Sequence, residues 1–275
     1  MTNSAHRCIK LQPSGPLSNY IEYFYSLRSR DSLRHSDEEP WFPSGTMDMI
    51  FELGDPFLQG DTSEAMSLRP RAFTAGLFEH GIRIQSTGQI RQIGVVFKPG
   101  KFRYFIKGNQ IDHKGIITPL DKVFGDEADR LWEMLSVIDD DQQSFFLVRN
   151  FLEKVIHQNQ PVNYYLDYCI DHIKNSNGNV SLDSLVAKTK TSNRHFRRIF
   201  KEYVGISPKL YCSMVRLQSL LKMAFHNPGD LNKLAHYLGY YDSSHLSRNF
   251  KFEAGMNTVD YLERPALISR SMISS

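Results

Sequence analysis

Long hydrophobic runs and paired cysteines are missing from this 275-residue chain. No stretch of 18 uncharged apolar residues occurs, so we expect no transmembrane helix and no membrane partner. The first ten residues are polar and lack the apolar core of a secretory signal. The three cysteines (Cys8, Cys169 and Cys212) are far apart and form no CxxC pair. These absences predict a protein of the reducing cytoplasm, without a disulfide framework.

The short motifs of common enzymes are also absent. The chain has no GxSxG, HExxH, P-loop or GxGxxG pattern. A metal-dependent cupin would need closely placed His and Glu ligands on facing strands, and the first half has no HxH pair. We therefore predict no catalytic residue, no metal site and no cofactor. The alternative of a metal-dependent cupin enzyme stays open to metal analysis of the purified protein.

Charge of both signs is plentiful, but it is unevenly distributed. The net charge of +3 combines an acidic part and a basic part. Residues 1–163 carry 18 Lys and Arg against 21 Asp and Glu, whereas residues 164–275 carry 15 against 9. Such asymmetry favours a nucleic acid or another anionic surface as partner, although uneven surface charge alone would explain it.

The first half has the pattern of short strands followed by two helices. Strands are predicted at residues 20–27, 47–53, 72–76, 81–86 and 90–97. Thr87-Gly88-Gln89 predicts a hairpin turn between the last two strands. Amphipathic helices are predicted at 126–138 and 141–157, where they would either cover the sheet or form a dimer contact. The polar, proline-containing segment 158–163 predicts a linker.

The second half is predicted to be entirely helical. The predicted helices are 165–174, 182–189, 193–204, 207–225, 231–238 and 243–253. Ser192 and Asp242 are good N-caps for two of these helices, and Gly205 is a good stop signal. We therefore predict an α+β protein. Its N-terminal domain would span 1–157, and its all-α domain, with two helix-turn-helix motifs joined by a long helix, would span 164–275.

The helical half repeats itself at a spacing of 50 residues. Arg198-Ile199-Phe200-Lys201 followed by Gly205 corresponds to Arg248-Asn249-Phe250-Lys251 followed by Gly255, and Tyr211 corresponds to Tyr261. Five identities at one offset, all within corresponding helices, indicate a duplicated helical unit. In each unit a short helix and a turn precede a second helix with one apolar face. Phe196, Ile199 and Phe200 form that face in the first copy, and Leu246, Phe250 and Phe252 are its candidates in the second.

The opposite faces of these second helices are basic and polar. Arg194, Arg197, Arg198 and Lys201 lie on one face of helix 193–204, which is typical of a helix that enters the major groove of DNA. An ordinary charged surface is the alternative, but the run contains no acidic residue before Glu202. The predicted DNA-binding residues are Ser192, Asn193, Arg194, Arg197, Arg198 and Lys201 in the first unit, and Ser243, Ser244, His245, Arg248 and Lys251 in the second.

Residues from about 165 to 265 resemble the DNA-binding domain of the AraC/XylS family of bacterial transcription regulators. The second copy carries the resemblance best, and its matching positions are Leu234-Ala235, Gly239-Tyr240, the run 242–251, Gly255 and Tyr261. Thr258 stands where the family usually has Pro, and Leu262 stands where it usually has Arg. The resemblance implies that Arg194, Arg197 and Arg198, together with Ser243, Ser244, His245 and Arg248, occupy base-reading positions.

The first half resembles an uncharacterised N-terminal domain that is found fused to this DNA-binding domain. The matching stretches are 13–27, Phe42-Pro43-Ser44-Gly45 with 47–55, Gly76 and 94–100. In the family, such domains commonly sense a small molecule or dimerise, and many are cupin-like barrels. The resemblance therefore implies a regulator or activator that binds double-stranded DNA. Its further candidate partners are RNA polymerase, a small-molecule effector and a second copy of the chain. A domain that docks a protein partner and senses no ligand is the alternative.

Overall fold

The structure, a computed structural model, consists of strands in the first half and helices in the second. It describes residues 6–29, 38–156, 162–187, 191–226 and 231–263. The strands are β1 (His6–Leu11), β2 (Ile21–Ser29), β3 (Glu39–Trp41), β4 (Met47–Glu52), β5 (Phe57–Gly60), β6 (Ser67–Leu68), β7 (Ala72–Gly76), β8 (Ile82–Ser86), β9 (Arg91–Phe97) and β10 (Thr118–Pro119). The helices are α1 (Leu120–Phe124), α2 (Asp126–Val137), α3 (Asp141–Val155), α4 (Tyr164–Asn175), α5 (Leu182–Ala187), α6 (Asn193–Val204), α7 (Pro208–His226), α8 (Leu231–Tyr237), α9 (Ser243–Ala254) and α10 (Thr258–Glu263).

The strands form two sheets. One has the order β1-β2-β9-β4-β7-β10 and the other has the order β3-β8-β5-β6, and every pairing is antiparallel. Because successive side chains of a strand point to opposite faces, the six-stranded sheet has two different sides. Met47, Met49 and Phe51 of β4 pack with the helices, whereas Asp48 and Ile50 line the space between the sheets. The predicted α+β class is confirmed.

Helices α2 and α3 cover the outer side of the six-stranded sheet. Leu131 and Leu135 of α2 and Val148 of α3 are buried in one core with Ile93 and Val95 of β9. The interpretation that these helices cover the sheet is therefore confirmed. Their other side keeps several apolar side chains in solvent.

The predicted hairpin at residues 87–89 is wrong. β8 pairs with β3 and β5 in the smaller sheet, whereas β9 pairs with β2 and β4 in the larger one. The segment turns the corner between the sheets on the Asp55 side chain, which accepts a hydrogen bond from the Gln89 amide at 2.7 Å. Turn chemistry is local, so it indicates a change of direction without identifying the strands that pair.

The helical half follows the predicted boundaries closely. α6 spans residues 193–204 as predicted, and α7 extends one residue beyond its predicted end. Most of the predicted linker lies outside the described residues, since residues 157–161 belong to the part that the structure leaves out. The division of the chain at 158–163 stays a prediction. Among the described helices, none is long and apolar enough to cross a membrane.

The two halves of the chain share one large hydrophobic core and several polar contacts. Gln110 Nε2 donates to the carbonyl of Val204 at the end of α6 over 2.8 Å. Lys101 Nζ reaches Asp167 of α4 at 2.7 Å and the hydroxyl of Tyr203 at 2.9 Å. These buried or half-buried bonds attach the sheet domain directly to α4 and α6.

Candidate DNA interface and ligand cavity

The first helix-turn-helix motif, which we define as α5 with α6, is built on local signals that the sequence carries. The Ser192 hydroxyl accepts a hydrogen bond from the His195 amide at 3.2 Å, which satisfies one of the unpaired amides at the start of α6. Gly205 ends the helix with a φ of 95°, a left-handed conformation that glycine adopts without strain. Phe196 and Phe200 are fully buried on the inner face.

The outer face of α6 is exposed and basic. All six predicted residues of this motif are exposed: Ser192, Asn193, Arg194, Arg197, Arg198 and Lys201. Besides the Ser192 cap, Arg198 donates to both carboxylate oxygens of Glu202 at 2.8 and 3.0 Å, and Asn193 donates to Asp183 at 3.1 Å. Three arginines at relative positions 0, 3 and 4 lie side by side on a helix, so the face is dense in charge-bearing hydrogen-bond donors.

The second motif, α8 with α9, has the same construction. Asp242 caps the His245 amide at 2.6 Å, and Gly255 ends α9 with a φ of 70°. Leu246 and Phe250 are buried on the inner face. Of the predicted contact residues, Ser244, Arg248 and Lys251 are exposed, whereas Ser243 and His245 are half-buried.

Phe252 does not belong to the apolar face of α9, although its position in the sequence made it a candidate. Its side chain is 69% exposed, and its ring meets the His80 ring at 4.6 Å. Glu253 and Ala254 are the buried residues at this end of the helix. One turn of helix separates Phe250 from Ala254, so these two residues share the inner face and Phe252 points away from it.

The long helix α7 supports both motifs. Its early part, with Met214, packs in the core that contains Phe196 and Phe200. Its later part, with Leu217 and Leu221, packs in the core that contains Leu246 and Phe250. One rigid element therefore sets the spacing between α6 and α9.

A cavity of about 450 Å³ lies between the two sheets and opens toward α7. Its volume falls in the range typical of small-molecule sites, about 300–1,000 Å³. The two sheets contribute aromatic rings, α7 contributes Gln218, Ser219 and Lys222, and the loop before β4 contributes Ser44 and Thr46. Trp41 and Phe42 line the cavity, whereas Phe51 lies in the core.

Two buried charged residues, Arg69 and Asp48, line this cavity on the side of the sheets, and sequence reasoning identified neither. Arg69 binds Glu52 at 3.3 Å, and both side chains are almost fully buried. Asp48 is 9% exposed and accepts a hydrogen bond from Thr46 Oγ1 at 3.2 Å, and its burial raises the pKa of the carboxyl group from 3.8 to about 7. The signal for Asp48 was present, since it is the one charged residue in the apolar run Met47–Phe51.

Comparisons with known proteins identify a family for each half of the chain. Residues 9–113 match a family described as a domain of unknown function (DUF6597), and residues 185–264 match a helix-turn-helix domain family. The C-terminal region is an AraC-type helix-turn-helix domain. The predicted resemblance is thereby confirmed for both halves of the chain.

Individual relatives are distant. The lactose operon transcription activator of Staphylococcus xylosus is 22% identical over 101 residues, which make up 36% of each chain. The matched region thus spans about a third of that relative's length. ToxT of Vibrio cholerae aligns over 84% of this chain and 98% of its own, with a TM-score of 0.50 and 11% identity. A ToxT structure bound to (E)-4-(8-methylnaphthalen-1-yl)but-3-enoic acid covers 89% and 99%, with a TM-score of 0.50 and 12% identity. At such identities the likeness to ToxT shows the fold alone.

Proposed function

We propose that the protein is a sequence-specific transcription regulator that reads two successive major-groove segments with α6 and α9. The observation that carries this proposal is the repeated construction of the two motifs on α7. Each recognition helix has a side-chain N-cap, a left-handed glycine C-cap and a buried aromatic inner face. Each also leaves a basic outer face exposed, and groove-reading helices need such a face for phosphate neutralisation and base contacts.

The two faces differ in their chemistry. α6 presents three arginines, and arginine is the commonest specific reader of DNA because its two donors fit guanine O6 and N7. α9 presents Ser244, Arg248 and Lys251, which together offer one arginine where α6 offers three. We therefore assign most of the affinity to α6, and to α9 an added selectivity that depends partly on bridging waters.

Alanine at Arg198 or at Arg248 is expected to weaken binding to the cognate duplex by about 1–3 kcal/mol at fixed salt. Each change removes a guanidinium group that would donate hydrogen bonds in the groove. In the wild-type protein, Arg198 would leave its ion pair with Glu202 to contact the DNA. Fluorescence anisotropy with a labelled duplex measures the change. Arg130→Ala, which removes an exposed arginine of α2, is the matched control and should leave the affinity unchanged. Equal affinities for all three variants would refute the assigned roles.

The duplex itself is best obtained by selecting bound DNA from a random pool with the full-length protein. Two reading helices on one rigid element should select two short blocks whose centres lie about one helical turn, or ~34 Å, apart. A pool that never converges on any sequence would contradict the proposal.

We propose further that a small molecule in the cavity regulates DNA binding, because such a molecule would touch the two sheets and α7 together. A ligand shifts an equilibrium between conformations only through its different affinity for each of them. Contacts with Gln218, Ser219 and Lys222 would supply that difference on the helix that spaces the two motifs. In this proposal the protein acts on cytoplasmic DNA, with RNA polymerase as a candidate partner, and carries no catalytic site.

The same proposal includes a homodimer through the outer side of α2 and α3. Met134, Val137 and Phe146 are each at least half exposed there, and these apolar side chains lie close to the turn that joins the two helices. An exposed apolar patch of this kind is typical of an interaction surface.

Val137→Glu and Phe146→Glu should each shift the protein from dimer to monomer in sedimentation equilibrium, because they place a charge in the contact. Leu68→Glu changes an exposed apolar residue of β6 and is the control. A wild-type protein that sediments as a monomer at all concentrations would refute the dimer and leave the DNA-binding proposal standing.

A further inference from the structure

The carboxyl group of Asp48 lies in the wall of the cavity without a cationic partner. Within the described ranges, no Lys, Arg or His nitrogen forms an ion pair with it. The Thr46 hydroxyl donates a hydrogen bond to it. Burying a carboxylate without a countercharge costs several kcal/mol, so such groups tend to occur where they bind something.

The other charged groups around the cavity are already matched or lie in solvent. Arg69 Nη1 is paired with Glu52, although the buried Nη2 of the same guanidinium makes no hydrogen bond, and Lys174 is paired with Glu22 at 2.8 Å. Lys222 is exposed on α7 at the cavity edge. Among the described residues that line the cavity, the unmatched buried charge is therefore negative.

Aromatic rings make up much of the remaining wall. Tyr23, Tyr25, Trp41, Phe42 and Phe57 all line it. The ring of Tyr25 lies directly over Gly94, where a Cβ atom would clash with it. Only glycine at this position allows the ring to lie flat against the sheet. A buried carboxylate beside aromatic faces is the arrangement that binds organic cations, through an ion pair and cation–π attraction.

We propose that the ligand of this cavity is an organic amine whose ammonium group binds the Asp48 carboxylate and whose apolar body lies against the tyrosine rings. The inference rests on the proposed regulatory role of the cavity, and it names the chemical class of the effector. An amine differs from the carboxylic acid that is bound to ToxT. An acid in this cavity would place a second negative charge near Asp48.

Proton binding distinguishes the two ligand classes. Tyr23 and Tyr25 of β2 interact with Asp48, and Thr46 of the preceding loop donates a hydrogen bond to it. The other charged groups that line the cavity are Arg69, which is paired with Glu52, the pair of Glu22 and Lys174, and Lys222 of α7, and Lys10 of β1 lies over the Tyr23 ring. Burial, with Asp48 as a further cause, raises the pKa of both tyrosines above their usual range, so these hydroxyls stay neutral. Asp48, with its pKa near 7, is then the group that changes charge between about pH 6 and pH 8.

The test is isothermal titration calorimetry of the full-length protein with three matched probes: 2-phenylethylamine, 2-phenylethanol and 3-phenylpropionate. We expect the amine to bind at least about tenfold more tightly than the alcohol or the acid. Its affinity should rise about tenfold between pH 6 and pH 8, because the ionised fraction of Asp48 rises by that factor. The affinity for a carboxylate bound at Lys222 would instead fall as the pH rises, because Asp48 gains negative charge in the same cavity.

Asp48→Asn keeps the shape of the side chain and removes its charge, so it should abolish the preference for the amine. Asp61→Asn, at an exposed position of the same domain, should leave the amine affinity unchanged. Tighter binding of the acid, an unchanged amine preference in Asp48→Asn, or no heat from 2-phenylethylamine at millimolar concentration would each overturn the proposal.

The duplex-binding assay separates this outcome from that of the proposed function. A protein that binds its selected duplex and no amine would remain a regulator with a different effector. A protein that binds the amine and no duplex would retain the site and lose the proposed function.

Discussion

Replacing Arg69 with alanine should lower the free energy of unfolding by about 3–5 kcal/mol, because the change leaves the Glu52 carboxylate buried without its countercharge. The side chains of the two residues are 2% and 3% exposed, and they meet at 3.3 Å. The guanidinium group also lies over the Trp41 ring at 4.6 Å and near the rings of Phe57 and Phe73 at 5.4 Å. Alanine therefore removes an ion pair and a packed planar group together.

Arg71→Ala is the matched control. Arg71 binds Asp129 at 3.2 Å and lies over the Trp132 ring at 4.3 Å, but here both charged side chains are about half exposed. Solvent weakens such a pair, so its loss should cost no more than about 1 kcal/mol. The two tryptophans of the chain each lie against one of these arginines, so urea unfolding followed by tryptophan fluorescence reports on both sites.

A double variant isolates the cause. Arg69→Met with Glu52→Leu removes both charges and keeps apolar volume, so it should recover much of the stability that Arg69→Ala loses. Equal urea midpoints for Arg69→Ala and Arg71→Ala, at equal slopes, would show that burial of the pair does not matter. A double variant less stable than Arg69→Ala would contradict the electrostatic explanation.

Six of the seven described helices of the helical half could be predicted from sequence with closely matching bounds, because their signals are local, whereas α10 was not predicted. Ser192, Asp242 and Gly205 each act within one turn of their own helix, and a period of 3.6 residues places the apolar faces. The 50-residue repeat then supplied each motif with a second, independent copy. Phe252 shows the limit of this reasoning, since its neighbour across space is His80 in the other half of the chain.

In the sheet domain the sequence predicted β2, β4, β7, β8 and β9, whereas five other described strands, β1, β3, β5, β6 and β10, were missed. β8 and β9 were recognised as strands, but their partners are β3, β5, β2 and β4, which no turn signal identifies. The cavity could not be predicted for the same reason. Asp48 and Lys222 line one space, although 173 other residues separate them in sequence. Non-local contacts of this kind depend on topology, which local propensity does not encode.

Asp48→Asn should stabilise the protein, and increasingly so as the pH rises. Burial raises the pKa of Asp48 from 3.8 to about 7, so the folded state favours the protonated acid more than the unfolded state does. The wild-type protein therefore loses stability as the pH rises from about 4 to about 7, whereas the asparagine variant does not undergo this loss. The advantage of the variant should grow by about 2–3 kcal/mol between pH 5 and pH 8, since each unit of pKa shift corresponds to about 1.36 kcal/mol.

Thermal unfolding of both proteins at several pH values measures this difference, with Asp61→Asn as the exposed control that should show no such trend. A variant that is less stable than wild type at pH 8 would mean that a partner not yet recognised holds the carboxylate in its ionised form. The predicted stabilisation also bears on the effector. The free-energy cost of burying the Asp48 carboxylate is explained if the ligand is a cation, because its binding supplies the missing countercharge. Saturating 2-phenylethylamine should accordingly raise the melting temperature of the wild-type protein at pH 8 and leave that of Asp48→Asn unchanged.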